Sequence, residues 1–394
     1  MDTKKVGRRH DLDWLTVIGI GSVFLYHSMR FFDSENWHIK NAVSSPLVDG
    51  VKSILDLWQM GLLFMLSGAS IYLALRPGGA VRFIKDRVKR LLVPLGFGIL
   101  VLGPPQIYLD RVFHGEFQGG FLEFLPLYFQ DWRIWNGNFA WSGVHLWYLE
   151  DLFLFMLVLL PLFLALKSAA GRRFTERLSR VSALPGGIYL WALPFALFLI
   201  AFDPLGIMGN EPPEDIVRLI VYPPVLIFGF LLISAQAAQG AVIRQRRLSL
   251  ALALVMTLAV PVVAGWAEEG PTYLGYVLIM LLVSMLSWCS LLAIFGYGMR
   301  YLNVDRPWLS RAREAVLPFY ILHQPVILIL GSFIIPLPLS IAAKWLLITP
   351  AAFAISIGLY EYAVRRWNPL RWAFGLKPLK PVAPAVELAA QPSS

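Results

Sequence analysis

The chain has 394 residues, of which 57% are hydrophobic and only 15% are charged, and its mean hydropathy is +0.63. Soluble globular domains carry about a quarter charged residues, so this composition excludes one. The net charge of +9 would suit a nucleic-acid partner, but the basic residues lie between apolar stretches, where a membrane surface explains them better. Because Cys289 is the single cysteine, a disulfide framework and a cysteine-based zinc site are excluded.

Ten apolar stretches follow one another along the chain, and most have the roughly 20 residues that a helix needs to cross a bilayer. They predict an all-α, polytopic membrane helix bundle with about ten transmembrane helices. The predicted spans are residues 14–32, 53–75, 91–109, 144–166, 188–202, 216–236, 249–266, 273–299, 315–335 and 338–364.

The connections between these spans alternate in charge, which predicts the orientation because Lys and Arg are retained on the cytoplasmic side. One set of connections, together with both ends of the chain, holds 27 Lys and Arg residues. The opposite set holds four, namely Lys40, Lys52, Arg111 and Arg133. We therefore predict that both termini are cytoplasmic and that the protein is a multi-pass component of the inner, or plasma, membrane.

No internal repeat and no long polar stretch divides the chain. We predict a cytoplasmic N-terminal segment over residues 1–13 and a single membrane domain over 14–377. Residues 378–394 are rich in Pro and Ala and are expected to be disordered.

His27 is the first candidate for chemistry. It lies about 20 Å along a helix from Trp14, past the membrane midplane and toward the outer side. Ionisable residues at membrane depth are costly, and a neutral imidazole can act as a general base near neutral pH. Arg30 follows one turn later on a neighbouring face. The alternative is a histidine that only packs by bonding to another helix.

His145 and Glu150 are candidates at the start of the fourth span. Five helical residues separate them by about 140°, so their side chains should not meet directly. His145 either contributes to an acceptor site or belongs to an interfacial aromatic belt. Glu150 and Asp151 lie deeper, and at least one of them should face the bundle interior.

Tryptophans on the predicted outer side are candidates for contact with an acceptor. Trp147 follows His145 directly, and Trp132 and Trp135 lie in the outer connection before it. Aromatic residues of this kind also form interfacial belts, which is the alternative explanation.

Tyr320 and His323 share one helical face in the ninth span. Pro318 and Pro325 bracket them and free backbone groups that could line a cavity. A structural kink is the alternative interpretation.

Arg87 and Arg90 lie one turn apart in the second cytoplasmic connection, with Pro94 on the same side. Such a pair can bind phosphate groups. The alternative is that these residues only mark the cytoplasmic side.

Five motifs in order resemble the acyltransferase-3 family of integral membrane proteins and, within it, the branch of glucans biosynthesis protein C. They span residues 12–323, so the resemblance covers most of the chain. The motifs are Leu12-Asp-Trp-Leu with His27, Phe64-Met-Leu-Ser67-Gly68, Arg87-x-x-Arg90-Leu-x-x-Pro94, His145-Leu-Trp147-Tyr-Leu and Pro318-Phe-Tyr320-x-x-His323.

The resemblance implies transfer of an acyl group from an acyl-coenzyme A or related donor to a saccharide hydroxyl at or beyond the outer face. It implies His27 as the catalytic residue. The candidates to support catalysis by His27 are Arg30, Glu150, Tyr320 and His323. Of these, Arg30, Tyr320 and His323 could donate hydrogen bonds to the developing oxyanion. Acyl-CoA is expected as a co-substrate, with no bound cofactor, no metal and no nucleic-acid partner.

One position departs from the family pattern, which has an Arg eleven residues before the catalytic histidine, with ten residues between the two. Thr16 stands there in this chain. Arg8, Arg9 and Arg90 are the candidates to supply the missing cation. The competing functional hypothesis is a multi-span transporter of a sugar or anion, with the intramembrane His and acidic residues as a proton relay.

Overall fold

The computed structural model of the protein describes residues 8–76, 78–133, 137–202, 214–269 and 273–379. These ranges contain helices and no strand. The predicted acceptor-side residue Trp135 and nearly all of the predicted disordered tail lie outside the described residues. The prediction of an all-α polytopic membrane bundle is confirmed.

The α-helices are numbered in chain order. They are α1 (His10–Met29), α2 (Pro46–Asp56), α3 (Gln59–Ala74), α4 (Ala80–Arg87), α5 (Val93–Phe97), α6 (Gly103–Phe113), α7 (Phe121–Gln130), α8 (Trp147–Lys167), α9 (Ala169–Ala183), α10 (Leu193–Phe202), α11 (Glu214–Ser234), α12 (Gln236–Glu269), α13 (Tyr273–Tyr301), α14 (Leu309–Ile334), α15 (Ile341–Leu359) and α16 (Asn368–Ala373).

Eight helical segments in the described ranges are long and apolar enough to cross a membrane. They are Pro46–Ala74, Ala80–Phe113, Val144–Lys167, Val217–Ser234, Gln236–Trp266, Tyr273–Tyr301, Leu309–Ile334 and Ile341–Val364.

The other two predicted spans correspond to weaker helical segments. Helix α1 carries Asp11, Asp13 and His27, which lower its hydropathy, and α10 has only 10 residues after a short 3₁₀ turn. The count of ten spans and the cytoplasmic position of both termini therefore remain predictions.

The third predicted span is longer than expected. Helices α4, α5 and α6 run on continuously, joined by the π-helical turns Val88–Leu92 and Gly98–Leu102. Pro94 lies just after the first of these turns and has no N–H to donate to Arg90, which accounts for the change in hydrogen-bond register there. The turn places Arg90 within the helix rather than in a loop.

The centre of the bundle is α14, the most enclosed of the eight apolar segments. It packs against α1, α15 and α6, and α1 also packs against α3 and α13. The helix that carries Tyr320 and His323 therefore lies directly beside the helix that carries His27.

Helices α3 and α11 approach each other at two glycines. A Cβ on Gly68 would lie 1.9 Å from the carbonyl oxygen of Leu226, and a Cβ on Gly229 would lie 1.9 Å from that of Met65. Small residues allow membrane helices to pack backbone against backbone in this way. Close packing holds the two helices, and the side chains they present to the interior, at a fixed separation.

Candidate active site

A cavity of about 710 Å³ opens at the end of α1 that carries His27. It is bounded by α1, α3, α11, α14 and the segment before α8. Its lining is mixed: three histidines lie beside aromatic and charged side chains. The polar and aromatic lining residues are Tyr26, His27, Arg30, Glu35, Trp37, His38, Lys52, Asp56, Gln59, His145, Trp147, Arg218, Tyr222, Tyr320 and Gln324.

His27 and His323 are directly hydrogen-bonded. Nδ1 of His27 lies 2.9 Å from Nε2 of His323, and Nδ1 of His323 lies 2.6 Å from the carbonyl oxygen of Tyr320. The chain brings these residues together although 296 positions separate them. Neighbouring helices α1 and α14 each present one imidazole to the contact.

This chain of hydrogen bonds determines which nitrogen of each neutral imidazole carries the proton. A carbonyl oxygen can only accept, so Nδ1 of His323 donates to Tyr320 and Nε2 of His323 is an acceptor. Nδ1 of His27 therefore donates to His323. Nε2 of His27 keeps its lone pair and has no hydrogen-bond partner among the described residues. A lone pair on a residue that lines the cavity is what a general base requires.

His145 is fixed to the same turn of α14. Its Nε2 lies 3.1 Å from the carbonyl oxygen of Tyr320, and the hydroxyl of Tyr320 donates to the carbonyl oxygen of His145 at 2.5 Å. The His145 and His27 rings are 6.3 Å apart, and those of His145 and His323 are 5.2 Å apart. In the described part of the chain, no group of three His, Cys, Asp or Glu side chains has the geometry to hold a metal ion.

Gln324 extends this polar network toward α6. The side-chain amide of Gln106 donates to the carbonyl oxygen of Leu102, so its oxygen faces Gln324 and accepts from that side chain at 3.2 Å. Gln324 lines the cavity beside Tyr320. Gln324 is not among the predicted site residues, although it directly follows His323 and is polar at membrane depth.

Arg30 occupies the outer rim of the cavity and is held by acidic partners. Its guanidinium contacts Asp33 at 2.5 Å and Glu35 at 2.9 Å, and Lys52 also donates to Glu35. Burial opposes ionisation of Glu35, but the hydrogen bond and charge of Lys52, followed by those of Arg30, lower the pKa of this carboxyl below its usual value. The rim is thus a closed network of ion pairs.

The acidic pair predicted on the fourth span faces two ways. Asp151 is buried and forms an ion pair with Arg218 at 3.3 Å, whereas Glu150 is exposed. The guanidinium of Arg218 lies 4.4 Å from the ring centre of Trp147, and both residues line the cavity. Arg218 lies within a predicted span but belongs to no motif, so no local pattern predicts it as a site residue.

The predicted phosphate-binding arginines line a second cavity of about 410 Å³, which we call the arginine-lined cavity. Arg87, Arg90 and Arg313 line it together with Ser67 and Ser70. Arg313 also pairs with Asp13, in the first turn of α1, at 3.3 Å. Asp13 and His27 are separated by about 20 Å along that helix, so the two cavities lie near its opposite ends.

Three side chains connect the two cavities. Ser67, which lines the arginine-lined cavity, is hydrogen-bonded to the hydroxyl of Tyr148 at 2.7 Å. The Tyr148 ring packs edge-on against Tyr320 at 5.9 Å, and Tyr320 lines the His27 cavity.

The position of the missing family arginine is also on α1. The hydroxyl of Thr16 donates to the carbonyl oxygen of Leu12, within its own helix. Of the candidates to replace that charge, Arg8 pairs with Asp13 and Arg9 pairs with Asp11. Arg90 lies in the arginine-lined cavity, where Arg313 joins it.

Trp132 lies apart from the His27 cavity. Its ring stacks on Phe139 at 4.7 Å, and the side chain is 55% exposed. Trp37, which is not among the predicted site residues, lines the cavity, and its ring is nearly parallel to that of His27 at 6.5 Å.

The model of the acyltransferase domain matches residues 9–361. The chain belongs to the acyltransferase-3 family. It is therefore an O-acyltransferase of the membrane, as the five motifs predict. This membership favours the enzyme over the transporter hypothesis.

Curated relatives of this family member share its length. The chain is 24% identical over 382 residues to glucans biosynthesis protein C of Escherichia coli K12, and the match covers 93% of each chain. The same identity and coverage relate it to proteins of that name in E. coli SMS-3-5 / SECEC and E. coli O157:H7. No solved structure matches the chain.

Proposed function

We propose that the protein transfers an acyl group from an acyl-CoA donor to a hydroxyl of a saccharide or glycan at or beyond the outer face of the membrane. The lone pair on Nε2 of His27, held toward the large cavity by the hydrogen bond to His323, is the observation that carries this proposal. The relatives' name, which refers to glucans, supports a glucose polymer as the acceptor.

His27 is the general base in the proposed reaction. Its Nε2 takes the proton of the acceptor hydroxyl while that oxygen forms a bond to the thioester carbonyl carbon. The carbon–sulfur bond then breaks, and the His27 imidazolium returns the proton to the coenzyme A thiolate. The products are an ester and a free thiol. General base catalysis of this kind contributes about 10²–10⁴-fold in rate.

His323 and Tyr320 act on His27 by positioning it. Both nitrogens of His323 are engaged, one by His27 and the other by the Tyr320 carbonyl, and the Tyr320 hydroxyl donates to His145. These hydrogen bonds favour a positioning role over the predicted role of oxyanion donors. Arg30 remains a predicted oxyanion donor: it lines the cavity, where Asp33 and Glu35 hold its guanidinium.

The donor is proposed to enter from the opposite end of α1. Arg87, Arg90 and Arg313 form a cationic lining suited to the phosphates of coenzyme A. Ser67, Tyr148 and Tyr320 are in contact between the two cavities, and the thioester would have to pass beside them to reach His27.

The test is transfer by the purified protein in lipid nanodiscs. Acyl-CoA donors and glucose oligosaccharides are supplied together, free thiol is measured, and the oligosaccharide is examined by mass spectrometry for the added acyl mass. Release of thiol with an ester on the sugar supports the proposal. Movement of sugar across proteoliposome membranes, without ester formation from any donor, would instead favour the transporter.

A further inference from the structure

A third cavity, of about 320 Å³, adjoins the His27 cavity on the side of α11. The two share the lining residues Asp56, Val217 and Tyr222. Tyr222 forms the wall between them: its ring is stacked between Phe64 at 4.5 Å and Trp147 at 6.0 Å. A ligand that reaches His27 therefore has a second compartment within reach.

The interior of this third cavity is almost entirely apolar. Helices α3, α11 and α13 supply most of its walls, among them Gly61, Val225, Phe228, Trp288 and Leu291, with Ser284 and Ser287 as polar exceptions.

The polar group of Trp288 is turned away from the space. Its Nε1 donates to the carbonyl oxygen of Ile188 at 3.0 Å, so the indole presents carbon atoms to the cavity. Gly61 contributes no side chain, and the Cβ that it lacks would stand in ordinary contact with Leu291. The lining of the cavity therefore suits a hydrocarbon.

We propose that this third cavity binds the hydrocarbon chain of the acyl group that is transferred. The inference rests on the proposed function, because it places the thioester carbonyl at His27 and the chain beyond Asp56 and Tyr222. An apolar cavity of about 150 Å³ can hold a benzene molecule. A space of 320 Å³ therefore suits a chain of several carbons rather than an acetyl group.

The position of this cavity beside the reaction site favours an acyl substrate over a membrane lipid as its occupant. A lipid tail needs only an opening toward the bilayer, whereas an acyl substrate needs a connection to the catalytic base. The third cavity adjoins the His27 cavity at three shared lining residues, so an acyl chain that passes beside Tyr222 would enter it. Each buried methylene favours binding by about fourfold, so donor preference should rise with chain length until the cavity is full.

The experiment compares acetyl-, butyryl- and octanoyl-CoA as donors to the full-length protein in nanodiscs. We expect kcat/KM to rise about sixteenfold from acetyl to butyryl, which differ by two methylenes. In Ser287→Phe, which fills the cavity, the octanoyl-to-acetyl ratio of kcat/KM should fall at least tenfold. The milder Ser287→Leu should shift the ratio in the same direction, which keeps the test decisive where the larger side chain impairs folding.

Ser290→Phe is the matched control. Ser290 lies three residues further along α13, does not line the cavity and bonds to the Leu286 carbonyl within its own helix. A flat chain-length profile, or equal shifts in the Ser287 and Ser290 variants, would overturn the inference and leave the cavity to lipid. Turnover of no donor of any length would instead remove the proposed function itself.

Discussion

Nδ1 of His27 and Nε2 of His323 lie 2.9 Å apart, so a histidine on α1 and a histidine on α14 form one hydrogen-bonded unit. The direction of this bond is set by the carbonyl oxygen of Tyr320, which can only accept. The reactive nitrogen of His27 is thus selected by backbone geometry on another helix.

His27→Ala should abolish transfer while the protein remains folded in the membrane, because it removes the proton acceptor. We expect kcat to fall about 10²–10⁴-fold. His27→Gln should be nearly as inactive, since an amide cannot accept the proton at neutral pH. Steady-state rates are measured together with membrane yield and melting temperature. A histidine that only packs would behave differently: Gln would restore activity, and Ala would lower the yield.

His323→Leu should lower kcat about 10²-fold or more and leave both KM values nearly unchanged, because His27 would lose the acceptor that holds its tautomer. His323→Gln should retain more activity, since its amide oxygen can still accept from Nδ1 of His27. Rates for the two variants are compared at equal amounts of folded protein. Equal activity in both would show that the hydrogen bond has no part in the reaction.

Arg87→Gln combined with Arg90→Gln should raise the donor KM more than it lowers kcat, which is the signature of lost ground-state binding. Arg82→Gln is the matched control, because Arg82 is an exposed residue of α4 that does not line the arginine-lined cavity. An unchanged donor KM in the double variant would indicate that these arginines only mark the cytoplasmic side of the membrane.

Arg313→Gln should likewise raise the donor KM, because its guanidinium shares the same cavity. The variant also breaks the ion pair with Asp13, so Asp13→Asn serves as the control that removes this pair but keeps the cation. The donor KM is measured for both. A similar rise in Asp13→Asn would attribute the effect to the ion pair rather than to the donor.

Ser44→Cys should react with a membrane-impermeant maleimide added from outside, whereas Ser310→Cys should react only after permeabilisation. Ser44 lies between α1 and α2 on the predicted outer side, and Ser310 lies in the predicted cytoplasmic connection before the ninth span. The native Cys289 is 0% exposed and should not interfere. Labelling of both variants from the same side would refute the predicted topology.

Local patterns were sufficient to select individual positions as candidates for chemistry. His27, His145 and His323 were each selected for being polar near or within apolar spans, and the structure brings their rings within 6.3 Å of one another. The hydrogen bond between His27 and His323, and the one from His145 to the Tyr320 carbonyl, could not be predicted, because residues so far apart in sequence meet only when the helices pack. The direction of the Tyr320 carbonyl is likewise a property of the assembled helices.

Charge patterns were less reliable for secondary structure. The charge pattern predicts a connection between the spans 216–236 and 249–266 that contains Arg244, Arg246 and Arg247. These residues instead lie within the continuous helix α12. Long arginine side chains can extend from a helix to the membrane surface, so charge marks depth without ending the helix. Arg218 shows the opposite error: a lone cation in an apolar stretch was overlooked, and it lines the His27 cavity.

The contact between Gly68 and Leu226 changes how activity screens of this protein should be interpreted. Gly68 ends the motif that begins at Phe64, and a side chain there would collide with the backbone of α11. Loss of activity in a Gly68 variant would therefore report two helices forced apart, with Arg218 and Tyr222 displaced from the cavity wall. Part of the family motif is thus required for the spacing between two helices. An inactive variant at such a position does not identify a residue that performs the chemistry.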